Sequence, residues 1–138
     1  MNFMNAFIRF NRGILGLPLP WRSWLLLLVG ANLVAPLFFL GHVEARITIA
    51  ALLLSLALMT GLTARWGFSR VLGLGHIVVW IPLLWFLSAR LSDIPTVDSF
   101  GFWIRAVIAL NAVSLVIDTI DLVRFLVGDR DEMVVTNP

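Results

Sequence analysis

Residues 102–125 read FWIRAVIALNAVSLVIDTIDLVRF, and the polar letters inside that apolar run decide the fold. Asn111, Ser114, Asp118 and Asp121 follow one another at three, four and three positions. On an α-helix this spacing stacks the four side chains into one stripe along a single face. The rest of the segment is mostly Ile, Val, Leu, Ala and Phe, and it is long enough to cross a bilayer. Two carboxylates and an amide on such a helix must face other helices or a cavity rather than lipid.

The composition extends this reading to the whole chain. Of 138 residues, 60% are hydrophobic and 13% charged, against roughly 45–50% and about 25% in ordinary soluble domains. The fold class is therefore an all-α integral membrane protein. The length accommodates four spanning helices of about 20 residues with short connections and no soluble domain besides. Net charge is only +2, and the ten basic residues are all arginine, scattered singly, so nucleic acid is not an expected partner. The absence of cysteine removes disulfides, thiol chemistry and cysteine-based metal sites.

Ahead of the spans, residues 2–15 form a short two-faced helix. Asn2, Asn5, Arg9 and Arg12 recur on one side, and Phe3, Phe7, Phe10 and Ile14 on another. That pattern suits an amphipathic helix lying in the membrane interface, aromatic side down; docking onto the protein's own helices fits it equally well. Gly13, Gly16, Pro18 and Pro20 then break the helix.

Four spans are expected at about 21–40, 47–64, 71–89 and 102–125. In the first, Trp21, Arg22 and Trp24 anchor the near end, Asn32 lies at mid-span and Pro36 bends the far half. This apolar run is longer than the core of a cleavable signal, so it is read as retained despite the faintly cleavage-like Val43-Glu44-Ala45. Residues 41–46 read as a polar turn. The second span is nearly all Ala and Leu with Ser55 and Thr60, and the third carries Gly73, Gly75, His76, Trp80 and Pro82. Small residues at Ala31 and Ala35, and at Ala57 and Gly61, offer faces for close helix approach. Residues 90–99 form the longest polar connection, and 129–138 read as a frayed, charged tail. Short connections make an up-down four-helix bundle the simplest topology.

Arginines near the span ends divide seven to three: Arg9, Arg12, Arg22, Arg65, Arg70, Arg124 and Arg130 against Arg46, Arg90 and Arg105. By the positive-inside rule both termini then face the cytoplasm, and a bacterial inner membrane is the expected location.

Depth narrows the chemistry. His76 lies six residues inside Arg70 and Asp118 six inside Arg124, each about 9 Å from the same side at 1.5 Å per residue. Asp121 is about one turn shallower, and Thr60 falls at similar depth. A polar cluster of His76, Asp118, Asp121 and Thr60 is therefore sterically allowed, with Asn111 and Ser114 on the same stripe and Asn32 at mid-span. An imidazole beside a buried carboxylate is a common element of proton relays. The competing reading pairs the carboxylates with Arg65, Arg70 or Arg124 to lock helix ends, and a third is contact with a partner subunit. Asn32 and Asn111 suit interhelical hydrogen bonds better than substrate ligation. Trp80, one turn from His76, belongs either to bundle packing or to a pocket for a flat apolar molecule such as a quinone.

No cofactor or metal is expected. The two histidines lie toward opposite ends of their spans, too far apart to hold one haem, and no metal-ligand spacing occurs. Nucleophile–base and phosphate-loop signatures are also lacking. Two functions remain. One is a non-enzymatic scaffold or accessory subunit of a larger membrane complex, with protein partner subunits or further copies of itself. The other is a small proton- or ion-coupled transporter using the His/Asp cluster. A dry, arginine-capped Asp118 favours the first; a water-filled cavity reaching Asp118 favours the second.

Overall fold

A computed structural model of the chain describes residues 2–134 and is all-helical, with no strands among them. Helix α1 spans Phe3–Gly16, and Asn2 caps it by accepting from the Asn5 N–H at 2.8 Å. Leu17 and Pro18 turn the chain into α2, Leu19–Val29. This helix continues as one π turn, Gly30–Val34, and ends in a 3-10 segment, Ala35–Phe39. Helix α3 runs Val43–Trp66, α4 runs Gly73–Ala89 after a 3-10 turn at Arg70–Leu72, and α5 runs Ser99–Leu126. Four stretches are long and apolar enough to cross a membrane: Leu19–Phe39, Val43–Trp66, Arg70–Asp93 and Ser99–Leu126.

The change of winding in α2 has a local cause. Pro36 has no N–H, so the α pattern cannot continue through it. Before the proline the helix widens, and the Ala35 N–H bonds back to the Gly30 carbonyl, five residues earlier. Asn32 sits inside this turn, fully buried.

Contacts along the helices make neighbours antiparallel. Glu44, in the first turn of α3, pairs with Arg90 just past α4, while Ser55, further along α3, donates to the Gly75 carbonyl at 3.0 Å. Phe39 packs on Phe100 and Trp103 at the start of α5, and Asn32 meets Asn111. Glycine decides how close α4 comes to α5. A Cβ at Gly73 would lie 2.7 Å from the Asp118 carbonyl oxygen, so only glycine lets the two backbones meet there. The main core joins Leu28, Leu52, Trp80, Leu83, Leu87, Trp103, Ile104 and Val107. A second cluster, Phe10, Met59, Phe68 and Leu72, fixes α1 against α3 and the connection after it.

Several sequence expectations change. Residues 41–46 are only in part a turn: helix α3 begins at Val43, because Glu44 suits a helix's first turn and is held there by Arg90. The expected aromatic face of α1 is split. Ala6, Phe10 and Gly13 form the docked stripe, whereas Phe3 and Phe7 are exposed. Gly61 has no heavy atom within 4 Å of where its Cβ would be. It is therefore not a contact seam, and opens on a shallow groove with Ala57, Leu74 and Val78.

The expected fraying also fails over 129–134. Gly128, at φ +117°, reverses the chain. Asp129 then takes Arg70 at 3.1 Å and Arg124 at 2.7 Å. Glu132 accepts from the Phe68 N–H and pairs with Arg9, and the Met133 N–H donates to the Phe68 carbonyl at 2.8 Å. Besides the nearby Arg124, these partners come from α1 and from the connection after α3, and they fix a segment that local sequence leaves unspecified. The expectation for 135–138 lies outside the described residues.

Candidate functional site

Helices α2 and α5 are tied to each other near their middles and part toward the Trp21 and Arg124 ends. The tie is a reciprocal amide pair: Asn32 Nδ2 donates to Asn111 Oδ1, and Asn111 Nδ2 donates to Asn32 Oδ1, each at 2.8 Å. The second hydrogen of Asn32 Nδ2 goes to the Leu28 carbonyl at 2.9 Å. Both side chains are fully buried, and each amide both donates to and accepts from the other. Trp103 adds a bond from Nε1 to the Ala31 carbonyl at 2.8 Å.

Below the tie lies a cavity of about 540 Å³. Its walls are apolar and rich in rings, including Phe10, Trp21, Trp24, Leu28, Met59 and Ile117. Its polar end is built by α4 and α5. The carboxylate of Asp118 accepts from His76 Nδ1 at 2.9 Å and from the Ser114 hydroxyl at 3.3 Å, both through Oδ2. The His76 and Asp118 side chains are 8% and 14% exposed, so the pair sits largely out of solvent. Trp80 stacks on the imidazole, with ring centres 4.1 Å apart and planes 17° apart. Gly73 allows the backbone approach that brings His76 within reach of α5.

The arginines that the sequence offered to Asp118 are engaged elsewhere. Arg70 reaches Asp129 and, at 3.9 Å, Asp121; Arg124 takes Asp129; Arg65 lies over the Trp66 ring. Among the described residues no arginine forms an ion pair with Asp118. Arg70, Arg124, Asp121 and Asp129 together form an ionic cluster at the shallow end of the cavity, and Met133 closes against it.

Of the residues singled out from the sequence, His76, Ser114, Asp118 and Asp121 line this cavity. Asn111 and Asn32 are the tie above it. Thr60 does not join them: it is fully buried, does not line the cavity, and its Oγ1 has no hydrogen-bond partner among the described residues. Depth alone had placed it there; the direction in which it leaves α3 takes it away. Three contributors were not identified from the sequence. Leu28 and Ile117 carry no polar signal, and Met133 reaches the cavity only because the chain turns back after Gly128. Among the described residues no group of three or more His, Cys, Asp or Glu is arranged to hold a metal ion.

Chemically, the arrangement is a hydrogen-bonding dyad at the end of an apolar chamber. Such sites bury an apolar ligand body and orient it through a few convergent polar groups. No protein-family model, curated protein or solved structure matches the chain.

Proposed function

We propose that this is a multi-pass protein of the bacterial inner membrane with both termini cytoplasmic, and that it binds a lipid-soluble molecule between α2 and α5. It acts without catalysis, as an accessory subunit of a larger membrane complex or as an oligomer of itself. The observation that carries the reading is the ring-walled cavity ending on a His76–Asp118 pair that no arginine neutralises. A dyad serving only to lock helix ends needs no such chamber. Insertion is supported by an exterior on which Phe38, Trp85 and Phe102 are 82%, 75% and 74% exposed; apolar surface of that kind belongs in lipid.

The test is photolabelling of the protein in nanodiscs with a diazirine-bearing decylbenzene. Labelling is expected to saturate and to concentrate on Leu28, Met59 and Ile117. Unsaturable labelling spread over Phe38, Trp85 and the other exposed positions overturns the reading.

A second reading, proton- or ion-coupled transport, is favoured by the same lack of an arginine on Asp118. Under it, Asp118→Asn retains photolabelling but abolishes pH-driven flux in proteoliposomes. Equal flux in the two proteins removes it.

A further inference from the structure

The dyad at the polar end of the cavity has unused acceptors. Asp118 Oδ2 takes the His76 Nδ1–H and the Ser114 hydroxyl. A histidine whose Nδ1–H is held by a carboxylate presents Nε2 as a lone pair when the ring is neutral. His76 Nε2 has no hydrogen-bond partner among the described residues. Nor is it one of the sealed polar atoms, which are Thr60 Oγ1, Ser69 Oγ and Trp80 Nε1. It therefore keeps accessible surface, in a residue that lines the cavity. The same holds for Asp118 Oδ1, which as a carboxylate oxygen can only accept. The donors nearby, Arg70 and Arg124, are turned toward Asp129. With the ring neutral, the dyad thus keeps two acceptors, on residues that line the chamber, that no donor among the described residues satisfies.

From this we infer that the ligand is a hydrogen-bond donor: an aromatic ring bearing a hydroxyl, on an alkyl or prenyl tail, the phenol and quinol class. The hydroxyl donates to His76 Nε2, within reach of Asp118 Oδ1. The ring belongs beside the stacked His76 and Trp80 and among Phe10, Trp21 and Trp24, where flat π surfaces pack well. The tail occupies the chamber toward Leu28 and Ile117. The volume suits this, since sites for such ligands run from about 300 to 1,000 Å³. A ring presenting only a carbonyl or an ether oxygen would set acceptor against acceptor. The inference rests on the cavity being a ligand site, as proposed above.

The test compares decylphenol with its methyl ether as competitors of the diazirine label on the full chain in nanodiscs. The phenol is expected to compete about ten-fold better, the worth of one hydrogen bond of about 1.4 kcal/mol. His76→Phe, which keeps the ring but no nitrogen, is expected to erase that preference while the label still saturates. Saturation itself reports that the variant is folded. Equal competition by phenol and ether on the unaltered protein overturns the donor inference and leaves the cavity reading standing. So does a preference that survives His76→Phe. Loss of saturable labelling from the unaltered protein removes the cavity reading, and the inference with it.

Discussion

The Asn32–Asn111 pair is the clearest single device in the molecule. Two amides meeting inside an apolar bundle bond each other in both directions, and removing either costs the other both of those bonds. Replacing Asn32 or Asn111 singly by Leu is expected to cost about 1–3 kcal/mol, the penalty for stranding the partner. The Asn32→Leu, Asn111→Leu double variant is expected to lose less than the sum, with a coupling within the range of roughly 0.6–1.7 kcal/mol seen between helices in membranes. Reversible denaturation in mixed micelles measures all three. Strictly additive losses mean that the two amides do not act together. Residue identity also limited what could be foreseen. Counting from Arg70 and Arg124 put His76 and Asp118 at one depth, and the structure joins them at 2.9 Å. The same count put Thr60 at that depth, but helical depth says nothing of azimuth, and Thr60 points elsewhere.

At the scale of elements, α1 is held by a narrow stripe. Phe10 is 2% exposed against Phe68 and Met59, while Phe7, one turn away, is 42% exposed. Phe10→Ala is expected to cost about 3–5 kcal/mol, the usual loss for a buried phenylalanine, and to speed amide exchange throughout α1. Phe7→Ala is expected to leave that exchange close to unchanged in detergent. Equal acceleration by both would show that α1 is not docked through the stripe Ala6, Phe10 and Gly13. The turn after α3 makes a second prediction. Gly67 has φ +70°, and a Cβ there would run into the Glu132 side chain. Gly67→Ala is therefore expected to release residues 129–134, seen as new proteolytic cleavage near Asp131, at a cost of about 1–2 kcal/mol. Protection equal to that of the unaltered chain would place the anchorage of 129–134 elsewhere. Four long apolar helices were legible because their period and length are local properties. The π turn at Gly30–Val34 and the return at Gly128 were not: the first is a single irregular turn set by the proline that follows it, and the second depends on partners distant in sequence.

For the whole molecule, the distribution of arginine is the remaining guide to orientation. With four spans and the arginines divided seven to three, reporters fused at Pro138 are expected to read as cytoplasmic and those inserted near Asp93 as external. A periplasmic signal at Pro138 removes both the orientation and the even number of crossings. A bundle with α2 and α5 joined at their middles also has a built-in asymmetry. The end near Phe39, Phe100 and Trp103 is packed solid, and the end near Trp21 and Arg124 holds the chamber. On the proposed reading, a ligand therefore enters from the end of the bundle nearer α1.

The clasp between Arg9 and Glu132 also bears on how the protein is made. The two residues are 123 positions apart. At typical synthesis rates of about 5–20 residues per second, roughly 6–25 s separate their emergence from the ribosome. All four long helices emerge in that interval, while the chamber still lacks the Met133 wall. On the proposed reading, the pocket therefore stays open on that side until translation is nearly complete.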